Sequence, residues 1–405
     1  MPALTLSLLF VAYLAVVGRA ALEACRWRGG VLRAWLLAPA VGLSVVLLLT
    51  TILNQAGLPV GGFAWPLTLV LAAAAAAVLR RRRTIFPGRA LGPFAAVAAA
   101  SVCWTGWPHL RFNFDWLSYV NDDFVNYCLA AERFKDFGFW RAPKLEELAG
   151  KDIAQYYWFM HVPGLMRFGA ELTLSWVSAL TGVKSLRIFM PVILGLGVIQ
   201  LCSAAALTLH HGRWRRRALA AMALLAASPL FMLGTLYQLI AQVGGLGLML
   251  AALVFLTRRL APGSGGPWPS VAGLSLVGAA LAVFYPEVTA FAVLVGVASA
   301  AIEAVRKRTW PVARTRLFLY GVVGVLVLLH ANVLTYVFTI MLQMGQGFRS
   351  VDLRLSLFPY FMIPTGLANL FGLMPLAVVH EEPLASVTID RKSTRLNSSH
   401  GYISY

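Results

Sequence analysis

The sequence predicts an all-α, polytopic membrane protein with about eleven visible transmembrane helices. Hydrophobic residues make up 59% of its 405 residues, and the mean hydropathy is +0.74. Its apolar runs repeatedly approach or exceed the roughly 20 residues that a helix needs to cross the hydrocarbon core of a bilayer. Most charged residues fall between these runs, which excludes an ordinary soluble domain.

The net charge of +18 comes from one set of loops. Twenty basic residues and only two acidic ones, Glu23 and Glu303, lie on the same side of the predicted helices. This asymmetry follows the positive-inside rule, so we expect a multi-pass protein of the cell inner (plasma) membrane with its N-terminus extracytoplasmic. Because the arginines flank membrane segments, we expect the lipid bilayer as their partner and no nucleic acid.

The same alternation divides residues 1–389 into three regions. Residues 1–107 form an N-terminal membrane region of four spans, and 108–184 form an extracytoplasmic loop with interfacial helices. Residues 185–389 form a membrane region of about seven spans. The predicted spans are residues 2–17, 32–53, 63–79, 90–107, 186–209, 218–234, 240–256, 271–284, 288–304, 317–341 and 358–379.

The last residues differ in character from everything before them. Residues 390–405 are polar and serine-rich, and they resemble a sequencing-adapter read-through peptide. We therefore expect residues 390–405 to be a non-native tail on a C-terminally truncated chain.

The loop 108–184 holds nine of the sixteen acidic residues. Within it, apolar residues recur at helical spacing from Asp122 to Phe137, and Gly138 is a typical C-terminal stop. We expect this amphipathic helix to lie at the membrane surface, with Arg133 among the polar residues off its apolar face. Carboxylates gathered in one loop of a membrane protein indicate that chemistry or recognition takes place there.

Asp122 and Asp123 are the first candidate catalytic residues. They begin the predicted helix, where acidic side chains interact favourably with the helix dipole, and this alone can explain them. Alternatively they form a metal site or supply a general base for an acceptor hydroxyl. If a metal takes part, these carboxylates would hold a divalent cation, Mg²⁺ or Mn²⁺; otherwise no cofactor is expected. Asp115 would share a helix face with Asp122 only if the helix were continuous.

Basic residues of the same interval are candidates for binding an anion. His161 either transfers a proton, contacts a phosphate or has a structural role. Arg111 and Arg187 either hold an anionic headgroup or anchor the chain at the interface. Glu171 lies four residues after Arg167; it either pairs with Arg167 along one helix or takes part in substrate binding.

Polar residues of the second membrane region complete the candidate site. Gln238 and Gln242 are expected to share one helix face, where they would bind a sugar or a neighbouring helix. Glu287 either lines a cavity or lies in a solvated turn. His330 is expected in the middle of the span 317–341.

The stretch NDDFVNYCLAAERF resembles the start of the extracytoplasmic loop in the GT-C superfamily of polytopic glycosyltransferases. The resemblance rests on Asp122-Asp123 after a span, the helix to Phe137, and His161-Val162-Pro163-Gly164 before the next membrane segment. It implies transfer of a sugar, hexosyl or pentosyl, from a polyprenyl-phosphate donor to an extracytoplasmic acceptor. In that scheme Asp122 or Asp123 is the base, His161 with Arg187 or Arg111 holds the phosphate, and Glu287 lines the cavity. The acidic loop follows the fourth span here, whereas it usually follows the first in the family.

Two other classes of function remain open. A transporter or lipid flippase would place ionisable residues inside spans and broken helices near mid-membrane. A non-catalytic subunit of cell-envelope glycan assembly would tolerate loss of the acidic pair. The concentration of carboxylates in a loop favours the enzyme. The sequence makes no prediction of oligomeric state.

Overall fold

The computed structural model describes residues 2–118, 122–150, 152–209, 215–257, 268–330 and 332–349. All regular structure in these ranges is helical, which confirms the all-α class. Both the predicted span 358–379 and the tail 390–405 lie outside the described residues.

The first four helices reproduce the predicted N-terminal spans, although α1 continues past its predicted end at residue 17. They are α1 (Ala3–Ala24), α2 (Val31–Gln55), α3 (Val60–Arg81) and α4 (Gly88–Thr105). Helices α1 and α2 touch backbone to backbone, because a Cβ at Gly18 would overlap the carbonyl oxygen of Ala38. Such contacts between small residues are a main source of helix association where lipid supplies no hydrophobic drive.

The interval 108–184 contains five helices. They are α5 (His109–Phe112), α6 (Asp122–Asp136), α7 (Leu145–Ala149), α8 (Tyr157–His161) and α9 (Gly169–Thr181). Helix α6 confirms the amphipathic helix predicted from Asp122 to Phe137. Its apolar face packs against protein, chiefly α9 and α10, and α9 itself is buried along most of its length. This interval therefore contributes packed helices to the bundle as well as surface segments.

The remaining helices follow α9 in the chain, and the first of them, α10, is the most buried of the long apolar helices in the described ranges. Helix α10 (Ser185–Thr208) packs against α1, α2, α9 and α13. The others are α11 (Arg215–Ala226), α12 (Pro229–Leu236), α13 (Ile240–Leu256), α14 (Trp268–Phe284), α15 (Thr289–Lys307), α16 (Val312–Leu329) and α17 (Asn332–Arg349). A 3-10 helix, Pro286–Val288, joins α14 to α15.

Six helices of the described residues are long and apolar enough to cross a membrane, or up to eight if two bent pairs each count as one span. The bent pairs are α4 with the α5 segment, at 72°, and α11 with α12, at 50°. This is compatible with a multi-pass membrane protein, with fewer spans than the eleven predicted. Helices α13 and α14, both predicted as spans, have 17 residues each.

The single span predicted at 317–341 is wrong. Helix α16 ends at Leu329, and His330 adopts a positive φ of 34° before α17 begins at Asn332. A positive φ is costly for a residue with a Cβ and interrupts a right-handed helix. His330 is thus an exposed residue at a helix break and not a mid-span residue.

The bundle has two chemically different ends. At the end that we call the acidic end, Glu132 accepts a hydrogen bond from the backbone N–H of Ser185, at 2.7 Å. From Ser185, α10 runs about 36 Å to Thr208, which precedes the arginines of α11. We call that opposite end, with Arg80–Arg83, Arg89 and Arg215–Arg217, the arginine-rich end.

Candidate functional site

The acidic pair predicted as catalytic begins α6, but its geometry is only partly described. The Asp123 side chain is exposed, and that of Asp122 lies outside the described residues. Asp115 is not on α6: it ends a separate 3-10 turn, Asn113–Asp115. Among the described residues no group of three or more His, Cys, Asp or Glu side chains could hold a metal ion.

The two arginines predicted to hold a phosphate are both exposed. Arg187 forms an ion pair with Asp115, at 2.9 Å, with more than half of each side chain exposed. The guanidinium of Arg111 lies over the ring of Phe112, 5.2 Å from its centre. Neither geometry amounts to a preformed anion pocket, because exposed ion pairs are weak and easily exchanged with water.

A largely buried charge cluster lies instead around Arg167, whose side chain is 16% exposed. Its guanidinium donates through Nη1 to Glu287, and through Nη2 to the hydroxyl of Tyr127, at 3.2 Å. It also lies over the ring of Tyr285, 5.3 Å from the centre, and Tyr285 has a side-chain hydrogen bond with Gln242. We call these five residues the Arg167 cluster. The cluster joins the loop 108–184 to the turn between α14 and α15.

The prediction that Arg167 pairs with Glu171 along one helix is wrong. Helix α9 begins at Gly169, so Arg167 precedes the helix and the spacing of four residues has no helical meaning there. Gly169 itself allows the cluster to form. A Cβ at this position would lie 2.6 Å from the Cα of Phe284, so only glycine lets the start of α9 approach the end of α14 so closely.

Burial and neighbouring groups together set the pKa values of Tyr127 and Arg167 in the cluster. Burial raises the pKa of Tyr127 to about 12, against the opposing charge of Arg167, so the phenol stays neutral near pH 7. Burial also acts to lower the pKa of Arg167, but the neighbouring Tyr127 and Glu287 outweigh it and raise that pKa overall. Arg167 therefore remains a cation held between an acceptor hydroxyl and a carboxylate.

A second buried pair, His161 and Glu171, lies on the same side. Nδ1 of His161 is 2.8 Å from the carbonyl oxygen of Tyr157, which can only accept, so Nδ1 carries a hydrogen. Nε2 then faces Oε1 of Glu171 at 3.6 Å, with the two side chains only 3% and 9% exposed. This separation is longer than a hydrogen bond, so the two side chains lie side by side without a direct bond between them.

Aromatic rings enclose this pair. The ring centres of Phe134 and Phe168 lie 5.0 and 6.3 Å from that of His161. Oε2 of Glu171 is buried and has no hydrogen-bond partner. A buried carboxylate oxygen without a donor is costly, and such groups are common where a ligand or substrate supplies the missing bond.

The prediction that Gln238 and Gln242 share one helix face is wrong. Gln238 precedes α13 and has a positive φ of 60°, while Gln242 lies inside that helix. Gln238 is fully buried; its Nε2 lies 3.6 Å from the sulfur of Met190, and its Oε1 has no partner. Only Gln242 reaches the Arg167 cluster.

Arg133 is a buried cation, although the spacing of apolar residues predicts it on the polar face of α6. Its side chain is 1% exposed, and Nη2 donates to the carbonyl of Arg141 at 2.8 Å. Burial, with the nearby charge of Arg141, lowers the pKa of Arg133 to about 10. Ala130, three residues before Arg133, is also buried. The buried face of α6 is therefore wider than the spacing of its apolar residues predicts.

Comparisons of the chain with protein-family models, with curated proteins and with solved structures gave no match. Its functional assignment therefore rests on the geometry of the described residues.

Proposed function

We propose that this protein is a membrane glycosyltransferase of GT-C type, which moves a sugar from a polyprenyl-phosphate donor to an extracytoplasmic acceptor. The observation that supports this best is the buried pair of His161 and Glu171, with Nε2 and Oε1 3.6 Å apart, next to the Arg167 cluster. Both lie at the acidic end, opposite the arginines that predict the cytoplasmic side.

Transfer to a hydroxyl acceptor needs a group that accepts the hydroxyl proton. In the proposal, ionised Glu171 or neutral His161 takes that proton, since each is buried, oriented and able to hold it. Asp122 or Asp123 remains the alternative base. Exposed Asp123 has the less suitable setting, because water competes for its hydrogen bonds.

The departing phosphate of the donor carries negative charge that a cation must balance. In the proposal, Arg167 has this role in place of Arg111 and Arg187. Its Nε is buried without a hydrogen-bond partner, so the guanidinium retains this donor in addition to those used on Glu287 and Tyr127.

The test is Glu171→Gln in the full-length protein, expressed in its native host in place of the wild-type copy. The amide keeps the shape of the carboxylate and cannot accept a proton, so we expect at least about a 100-fold loss of transfer. The readout is the cell-envelope glycan profile, followed by assay of released polyprenyl phosphate in membranes.

Glu146→Gln is the matched control, because Glu146 is an exposed acid on α7. It should leave the glycans unchanged. A normal glycan profile in Glu171→Gln, with a clear defect in the deletion strain, would remove this residue from the proposal. The same measurement on Asp122→Asn and Asp123→Asn decides between the two candidate bases.

A transporter or lipid flippase is the second candidate, favoured by the broken helices. Besides the two bent pairs, the chain breaks between α12 and α13 at Gln238, where a buried amide oxygen has no partner. Breaks of this kind line substrate paths in transporters. A flippase would move the lipid-linked sugar across proteoliposomes unchanged, whereas a transferase would release free polyprenyl phosphate.

A further inference from the structure

The arginine-rich end has no acidic counterpart in the adjoining chain. No aspartate or glutamate occurs between residues 24 and 114, or between residues 172 and 286. Arg80–Arg83, Arg89 and Arg216 are all exposed. Arginines concentrated in this way repel one another unless an outside anion lies among them.

Tertiary structure brings the two acid-free stretches together. Helix α11 packs against α4, and Nη2 of Arg215 donates to the backbone carbonyl of Arg89 at 2.9 Å. The basic runs 80–89 and 215–217, more than 120 residues apart in sequence, thereby form one surface. We call this surface the arginine patch.

Two large apolar side chains project from the same patch. Ile85 and Phe86 are 69% and 63% exposed, and both lie in the connection between α3 and α4. Trp35 fixes this connection: its indole N–H donates to the carbonyl of Ile85 at 3.2 Å, and its ring meets Phe86 edge-on at 5.2 Å. The apolar pair is therefore held in place among the arginines.

We propose that the arginine patch is a binding site for the phosphodiester headgroup of anionic phospholipids. Arginine suits phosphate geometry, and Ile85 with Phe86 would enter the acyl region beside the headgroup. A nucleic acid would engage the cations, but Ile85 offers no ring for base stacking and Phe86 already packs edge-on against Trp35. The combination of fixed charge and fixed apolar surface therefore favours lipid.

The experiment compares lipid binding to purified full-length protein by native mass spectrometry. The protein is offered equal amounts of phosphatidylglycerol and phosphatidylcholine with the same acyl chains. The test variant is Arg82→Gln/Arg83→Gln/Arg89→Gln/Arg216→Gln. The matched control, Arg111→Gln/Lys144→Gln/Lys184→Gln/Arg187→Gln, removes four exposed charges from the other side of the sequence-predicted membrane.

We expect the wild type and the control to prefer phosphatidylglycerol over phosphatidylcholine. The ratio of the two bound lipids should be at least tenfold lower in the test variant. This is a conservative expectation, since each arginine near an anionic surface contributes about fivefold in binding. Equal loss in both variants, or no preference in the wild type, would overturn the proposal. Displacement of the lipid by an equal concentration of inorganic phosphate would also overturn it, because the patch would then recognise a free anion.

Discussion

The two ends of the bundle place most of their charges differently. At the arginine-rich end, Arg80–Arg83, Arg89 and Arg216 are exposed, and the chain contains no acids between residues 24 and 114 or between residues 172 and 286. Arg33, whose Nε donates to the carbonyl of Ala206, is a buried exception at that end.

At the acidic end, Arg167, Glu171 and Glu287 are largely removed from water; Arg167 pairs with Glu287, and Glu171 faces His161. A surface cation needs no fixed partner, whereas a buried one costs several kcal/mol unless it is paired. The lipid-binding proposal rests on the charge at the first end, and the proposed function rests on the charge at the second.

The largest effect on stability is expected from removing one member of the ion pair between Arg167 and Glu287. Arg167→Met leaves Glu287 partly buried without its cation, so we expect a loss of about 3 kcal/mol in the free energy of unfolding. Arg187→Met, which breaks the exposed pair with Asp115, should cost less than about 1 kcal/mol. Denaturation in detergent micelles measures both.

The double variant Arg167→Met/Glu287→Met sharpens this test. Removing both charges should restore most of the lost stability, because no unpaired charge remains. An Arg167→Met variant as stable as wild type would contradict a stabilising ion pair between Arg167 and Glu287 that is shielded from water.

A smaller effect is expected from Gly169→Ala. The added methyl group would meet the backbone of Phe284, so we expect a loss of about 1–3 kcal/mol as α9 moves away from α14. Gly92→Ala is the control, since a Cβ at Gly92 meets nothing within 4 Å and lies inside α4. It should leave stability unchanged or raise it slightly. Equal thermal stability of both variants would contradict the close approach at Gly169.

The smallest effect at neutral pH is expected from Tyr127→Phe, and it grows in alkali. The pKa of Tyr127 is raised to about 12 from an ordinary value near 10. A raised pKa means that the folded state holds the proton more tightly, so this stabilisation is complete below about pH 10 and is lost towards pH 12. Wild type should lose more stability than Tyr127→Phe across that range. Tyr320→Phe, at an exposed ring, should behave as wild type.

The sequence predicts a helix correctly where the spacing of its apolar residues alone decides the structure. Helix α6 and the long apolar helices α2, α3 and α10 follow from the spacing and length of their apolar residues. The prediction failed at the break in the span 317–341, where His330 interrupts the helix without a proline or glycine beside it, so no local signal identifies the break. The break at Gln238 falls between the predicted spans 218–234 and 240–256, but the sequence did not show that Gln238 and Gln242 lie on different elements.

The candidate site was predicted in part. His161, Glu171, Gln242 and Glu287 were singled out from the sequence, and the structure brings the first two together and the last two into the Arg167 cluster. Arg167 was noticed, but with the wrong partner, because its true partner is 120 residues away. No spacing rule connects residues at that separation.

The sequence by itself determined the all-helical class and the separation of arginines from carboxylates, because both depend on composition and on local periodicity. Only the tertiary structure decided which charges are buried, which pair, and which basic runs form one surface. Those outcomes depend on close contacts between distant helices, such as Gly169 against Phe284 and Arg215 against Arg89. A contact of that kind depends on how the whole bundle packs, and no short stretch of the chain encodes it.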